Sequence, residues 1–547
     1  MMTKLRWGLA LLALAIIFPV RAQNDFEIAK NVDIFVTALR ELNAKYADEI
    51  SPGDLTKTAL DAMLSSLDPY TVYYPETQIE DVRMLTNGQY GGVGALIQQR
   101  DDKVIISEIY EGCPAHKAGL LPGDIIMKVD GKTTVGKTTE DVSTAMRGQP
   151  GTTVTMEILR PTKNNKKFTF NIVREEVKLP NIPYYGMVDD EIGYIKLDQF
   201  TERAGAEVKS AFMELKEKGM KSLILDLRNN GGGLLQEAVK IMNIFVDKNT
   251  VIATTKGKIS SSSHSFATTA PATDLEIPVV VLVNEYSASA SEIVSGSFQD
   301  LDRGVIVGKK TFGKGLVQNV VPLSYNATMK ITISKYYIPS GRCVQKIDYF
   351  NKDTLTPGGT IPDSLAVAYK TKNGRIVYDK GGVEPDVLTE PVVASNILVS
   401  LVANHHIFDF ANQYHAEHTV IPPANEFTVS DELYQEFVDF VKNKDYDYTT
   451  ETEEVLKELK TVAEGEHYMQ DIETYYQQML DVVKKSKEAD LQTYKQEISE
   501  YLATEIVARY YYQKGQFCNL LLVDPDVREA KSILKDQNRY RSILKIK

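Results

Sequence analysis

Val279-Val280-Val281-Leu282-Val283-Asn284 runs directly into Glu285-Tyr286-Ser287-Ala288-Ser289-Ala290-Ser291-Glu292. An apolar run without polar alternation reads as a strand buried on both faces. The Ser/Ala stretch after it opens a helix predicted over 288–300. A serine at such a junction sets its hydroxyl beside backbone donors, as a nucleophile attacking a carbonyl requires. Serine is also a common helix N-cap, so this stretch alone leaves catalysis and capping both open.

Strand and helix patterns alternate on either side of it. Strands are expected at 192–197, 222–227, 279–283 and 305–307, with helices at 204–218, 234–245 and 288–300. That alternation implies an α/β layer structure. Leu223-Ile224-Leu225-Asp226-Leu227-Arg228-Asn229-Asn230-Gly231-Gly232-Gly233-Leu234 is a buried strand, a glycine turn and a helix start. Unpaired N–H groups there form an anion site. No Gly-Lys-Ser/Thr follows, which excludes a phosphate-binding P-loop.

Downstream, Val305-Ile306-Val307-Gly308-Lys309-Lys310-Thr311-Phe312-Gly313-Lys314-Gly315 sets Lys314 between two glycines after an apolar strand. Desolvation disfavours the ammonium, so a lysine held there suits a general base. Lys309 and Lys310 read as the solvated ones. Strand periodicity puts Lys314, Leu316 and Gln318 on one face, so Gln318 is placed to orient the amine. Residues 329–337 and Pro339-Ser340-Gly341-Arg342 read as a strand and turn flanking a cleft. The Ser/Thr-rich 254–273 is expected to be a long surface loop, and Pro180-Asn181-Ile182-Pro183 a linker.

Upstream, residues 88–175 carry short β runs at 93–97, 103–109, 124–129, 153–159 and 167–173, with one helix at 138–147. In Tyr90-Gly91-Gly92-Val93-Gly94-Ala95-Leu96-Ile97 the glycines let the backbone turn its N–H groups inward as a nest for a carboxylate. The strand after it can pair with an extended peptide. Gly92, Val93, Gly94 and Ala95 are therefore the candidate site for a substrate C-terminus. Pro114-Ala115-His116-Lys117-Ala118-Gly119-Leu120-Leu121-Pro122-Gly123-Asp124-Ile125-Ile126 and Val129-Asp130-Gly131 resemble a PDZ domain of the bacterial protease type.

The ends and the composition set the context. Lys4 and Arg6 precede an apolar run from Trp7 to Val20, and Val20-Arg21-Ala22 closes a secretory signal peptide cleaved near Ala22. The run is short of a spanning helix, the alternative reading being an uncleaved anchor. Residues 24–66 carry helical spacing broken at Ser51-Pro52-Gly53-Asp54, a helical hairpin closed by the turn-like Leu67-Asp68-Pro69-Tyr70-Thr71. From about 395 the chain is helical, acidic and tyrosine-rich, with Leu433, Phe437, Phe440 and Val441 on one face, read as core. The 547 residues are 43% hydrophobic and 25% charged with a net charge of −12. Several domains and no nucleic-acid partner follow. Three scattered cysteines exclude a disulfide framework. His405, His406, His415 and His418 lack companion ligands in a metal-binding pattern, so no metal and no cofactor is expected.

Taken together, Ser287-Ala288-Ser289-Ala290-Ser291-Glu292 and Thr311-Phe312-Gly313-Lys314-Gly315-Leu316-Val317-Gln318 resemble the carboxy-terminal processing peptidases of family S41 type, from about residue 30 to 390. The resemblance implies a crotonase-like α/β core with a Ser/Lys dyad acting through an acyl-enzyme, and one PDZ domain. Carried over by position, Ser289 is the nucleophile, Lys314 the base, Gln318 its orienting residue and Glu292 a supporting group. Ala290 and Gly232 N–H groups would form the oxyanion hole, with Gly231 the fallback. The expected architecture is multidomain α+β: signal peptide 1–22, N-terminal helical region 23–87, PDZ-like domain 88–175, peptidase core 176–394 and acidic helical C-terminal region 395–547. The expected protein is periplasmic, acts on proteins or peptides with accessible C-termini, meets the membrane only through substrates, and has self-association open. The competing reading is an envelope scaffold with a PDZ domain and a dead core. A Ser-His-Asp triad is disfavoured because residues 180–390 hold only His264.

Overall fold

The computed structural model describes residues 25–78, 87–350, 359–390 and 393–546. The chain divides into two units, Met1–Ile79 with Gln318–Thr332, and Glu80–Val317 with Ile333–Lys547. The expected signal peptide lies outside the described residues. Among those described, no helix is long and apolar enough to cross a membrane.

In the smaller unit a helix over 25–45 precedes the helix Pro52–Ser65, whose N-cap Ser51 accepts from Asp54 N–H. Asp68 then makes the predicted turn by accepting from the N–H groups of Tyr70 and Thr71, both at 2.8 Å. The strand Val72–Tyr74 pairs antiparallel with Thr328–Lys330.

In the larger unit the PDZ-like module comes first. Its edge strand β1 (Ala95–Arg100) pairs antiparallel with Lys103–Ile109, and its core is Val104, Ile106, Ile126, Val154, Met156 and Ile158. Helix α1 (Thr139–Met146) starts on a Thr138/Asp141 capping box. The expected strand at 93–97 is split, because Gly94 turns with φ +76° and any Cβ there would lie 2.3 Å from Cys113 Cβ. A pairing that sequence reading missed joins Gln89–Gly92 to Glu175–Lys178.

The central sheet has the order β2 (Tyr184–Met187), β3 (Ile192–Lys196), β4 (Ser222–Asp226), β5 (Val279–Val283), β6 (Val305–Gly308), β7 (Val387–Leu388). It is parallel except for the β2–β3 pair. Alternate residues of each strand face opposite sides. Leu223, Leu225, Val279, Val281 and Val283 pack with α2 (Ala204–Glu217), α3 (Leu235–Phe245) and α4 (Ala290–Asp300). Ile224, Val280, Leu282, Val305 and Val307 pack instead with Val527, Ile533, Leu534, Tyr540 and Leu544. The second face is thus covered by the chain's last two helices, α5 (Pro525–Lys535) and α6 (Gln537–Ile543). That is why β5 shows no polar alternation.

Two expectations are corrected. Part of the Ser/Thr-rich stretch is not a loop: Val251–Gly257 and Ser265–Ala267 form an antiparallel hairpin, to which threonine's β-branching is well suited. The 180–183 segment is not a loose linker, since Asn181 is fully buried, accepts from Thr201 and donates to Glu207. Residues 395–520 add a helical domain around Leu401, Phe410, Tyr434, Phe437, Val441, Leu502 and Ile506, so the aromatic stripe is core as expected.

Candidate active site

Ser289 sits where the chain leaves β5 and enters α4, half-buried, with φ 56° and ψ −112°. A non-glycine residue there carries roughly 1–3 kcal/mol of backbone strain, which its surroundings must impose. Several bonds impose it. Ser287 Oγ donates to Leu227 O at 2.8 Å, Ala288 N–H to Asn230 O at 3.0 Å, and Ser291 Oγ to the same carbonyl at 2.8 Å. Tyr336 Oη donates to Ser289 O at 3.1 Å.

The strongest restraint comes from Glu292. Its fully buried carboxylate accepts from Ser289 N–H at 2.9 Å and Lys314 N–H at 2.8 Å on Oε2, and from Thr311 Oγ1 at 2.7 Å and Gly313 N–H at 2.8 Å on Oε1. One oxygen therefore ties the backbones of Ser289 and Lys314 together. Burial pushes this carboxyl's pKa above its usual value, while the four donors work the other way.

Lys314 is half-buried between buried Gly313 and Gly315 and stands two residues before the strand Leu316–Pro322. The glycines are required by close approach. A Cβ at 313 would lie 2.6 Å from Lys346 Cβ, and one at 315 would lie 2.8 Å from Gln345 N. Lys309 and Lys310 are partly exposed, with Lys309 3.8 Å from Glu285 and Lys310 Nζ donating to Lys380 O. Gln318 belongs to the smaller unit, where its Nε2 donates to Thr332 Oγ1 at 3.2 Å.

The glycine turn abuts the serine. A Cβ on Gly232 would lie 2.8 Å from both Ala290 N and Ser289 Cβ. Gly232 N–H donates to Asn230 Oδ1 at 2.9 Å, whereas the Gly231 position opens onto free space. Asn230 was missed by sequence reading. It anchors the turn through Nδ2 to Leu197 O and holds Ala288 and Ser291 through its own carbonyl. The Asn-Asn pair before three glycines was the available signal.

In the PDZ-like module, Gly92 ends a strand and Val93 O accepts from Ala115 N–H at 2.8 Å. Gly94 O accepts from Tyr110 N–H, and Ala95 begins β1 at the sheet edge. Arg147 lies 5.4 Å from the Tyr90 ring centre, and burial pushes the Tyr90 hydroxyl up to about 12. His264 is exposed, its ring bonding Ser261 O and meeting Phe266 edge-on while its backbone pairs with Thr255. The histidines of the C-terminal region have partners other than a metal. His418 stacks on Tyr414, His415 meets Tyr510 edge-on, and His406 bonds Asp445 O. Among the described residues no group of His, Cys, Asp and Glu is placed to hold a metal. The three cysteines are unpaired thiols.

Three family models match the chain. Peptidase family S41 covers residues 191–363, a PDZ domain 105–160, and the C-terminal helical domain of a probable PDZ-protease 397–534. A carboxy-terminal-processing protease of Bartonella bacilliformis is 35% identical over 353 residues, 64% of this chain and 78% of the relative. A probable CtpA-like serine protease of Staphylococcus aureus is 33% identical over 364 residues, 65% of this chain and 70% of the relative. Among solved structures, a photosystem II D1 C-terminal processing protease is 28% identical with a TM-score of 0.35, covering 66% of this chain and 93% of that one.

Proposed function

The chain belongs to the carboxy-terminal-processing proteases of peptidase family S41, with one PDZ domain, and from that premise we propose a Ser289/Lys314 endopeptidase working through an acyl-enzyme. The observation that carries this reading is the Glu292 carboxylate oxygen shared by the Ser289 and Lys314 amides. It fixes the nucleophile and the base relative to each other without consuming either side chain.

In the proposed reaction, Lys314 Nζ takes the proton as Ser289 Oγ attacks the scissile carbonyl carbon. The developing oxyanion accepts from Ala290 N–H and from one amide of the glycine turn. Gly232 N–H already donates to Asn230 Oδ1, so Gly231 is the amide proposed for this role. Lys314 then returns the proton to the leaving amine, and water attacks the acyl-serine with Lys314 again as base. Gln318 is proposed to orient the lysine amine. The β1 edge and the Gly92–Ala95 loop are proposed to hold a substrate's C-terminal residues, raising local substrate concentration. Export to the periplasm with loss of residues 1–22 completes the proposal.

The test compares Ser289→Ala, Lys314→Ala, Lys314→Arg and the Ser289/Lys314 double variant on an unfolded substrate with an apolar C-terminus. All four are expected to be inactive, the double no worse than the singles. Arginine fails because guanidinium stays charged. Turnover by any of them contradicts the dyad. Binding without cleavage by the wild type supports the dead-core scaffold instead. A substrate with an amidated C-terminus is expected to raise KM; equal cleavage of the amidated and free-acid forms would rule out C-terminal capture.

A further inference from the structure

Arg228 lies three residues before the glycine turn and belongs to a buried charge network that reaches the end of the chain. Its Nε and Nη2 donate to Asp226 at 3.0 and 2.6 Å. Nη2 also reaches Asp524 Oδ2 at 2.8 Å, and Nη1 reaches Asp524 Oδ1 at 3.1 Å and Asp526 Oδ2 at 3.0 Å. Asp226 is held further by Tyr194 Oη at 2.7 Å, and Lys196 Nζ donates to the Arg228 carbonyl at 2.6 Å. Burial opposes the Asp226 charge, but Arg228 and Lys196 hold its pKa down at about 2. The fork therefore stays ionised at any working pH. Asp524 has a second duty as the N-cap of α5, accepting from the N–H groups of Asp526 and Val527.

From Arg228 the connection to the serine is short. Asn229, at φ +60°, exchanges hydrogen bonds with Asn284, and Asn230 holds Ala288, Ser291 and Gly232. The position of Arg228 thus sets where the turn meets Ser289.

We propose that Arg228 is a positioning residue for the oxyanion turn, and that Asp524, the N-cap of α5, acts through it, so that this one carboxylate beyond the peptidase core supports catalysis. This rests on the Ser289 reading above. The forked guanidinium matters because its fixed, planar set of donors can hold Asp226, Asp524 and Asp526 at once, which a lysine cannot do.

The test uses the full chain with Asp524→Asn, Arg228→Gln, their double variant and Tyr540→Phe. Asparagine is as good an N-cap as aspartate, so Asp524→Asn keeps the helix start while losing the charge on Arg228. Both single variants are expected to lower kcat by roughly 10- to 100-fold with KM within about twofold, the cost of a turn displaced by a fraction of an ångström. The double variant should lose no more than the worse single one, since both act through one link. Tyr540→Phe removes a different contact between the same segment and the sheet, the bond to Val279 N–H, and should leave kcat within about twofold. The proposal is overturned if Asp524→Asn has wild-type kcat, if the two losses multiply in the double variant, or if Tyr540→Phe lowers kcat as much. Activity surviving in Ser289→Ala, run alongside, would instead fault the nucleophile assignment and be recognisable as such.

Discussion

Glu292→Gln is the sharpest perturbation of the site because it changes one atom of a fully buried group with four donors. The side-chain carbonyl of glutamine can keep two of them, and its NH₂ then confronts the other two. Two donors lose their acceptor at about 1–3 kcal/mol each, so a loss of roughly 2–6 kcal/mol is expected. Glu292→Ala strands all four and should cost roughly 4 kcal/mol or more, a large share of the 5–15 kcal/mol typical of a domain. Urea unfolding followed by tryptophan-independent far-UV signal gives the loss from the midpoint, provided the slope is unchanged. On activity, the tie between the Ser289 and Lys314 amides is released, and kcat should fall by about 100-fold with little change in KM. A Glu292→Gln enzyme with wild-type kcat and a stability loss below about 0.5 kcal/mol would refute the argument that this carboxylate fixes the nucleophile and base.

Three further outcomes follow. Glu108 in the PDZ-like module has its pKa raised to about 7 by burial, opposed by Gln513 and Arg509; folding therefore favours its protonated form, so its contribution is complete below about pH 4.5 and is lost as pH rises to about 7. Glu108→Gln should remove this fall, of order 3 kcal/mol, in melting curves taken across that range, and an unchanged pH dependence would contradict it. Ending the chain at residue 520 uncovers Val280, Leu282, Val305 and Val307, and deletes Ile533 and Leu534, whose burial is worth about 1.5–3 kcal/mol each; the product is expected to aggregate, and a soluble, active truncated enzyme would disprove the packing role of α5 and α6. Gly94→Val should destabilise the module rather than merely block a ligand, because of its positive φ and the 2.3 Å approach to Cys113 Cβ; a wild-type melting temperature would contradict that.

What the sequence made legible was local. The unbroken apolar run of β5 announced a strand covered on both faces, and the glycines around Lys314 and in the 231–233 turn announced close backbone approach. What covers β5's second face was illegible, because α5 and α6 lie some distance along the chain and an amphipathic helix carries no mark of its partner. The Arg228–Asp524 link was hidden for the same reason, as ion pairs between remote residues have no local pattern. Ser289's left-handed backbone could not be read because serine, unlike glycine, gives no sign of positive φ. Within 254–273, the strand segments 254–257 and 265–267 were hidden by the polarity of the stretch, against which threonine's preference for strands is a weak signal.

The central claim is that Ser289 is a nucleophile activated by Lys314, and covalent trapping tests it most directly. The wild type is treated with a fluorophosphonate, the modified peptide is mapped by mass spectrometry, and labelling is followed against residual protease activity. The account predicts a single adduct on Ser289 that forms in step with inactivation, and labelling slowed by about 100-fold or more in Lys314→Ala. Inactivation with the adduct on another residue, or equal labelling rates in the wild type and Lys314→Ala, would contradict it.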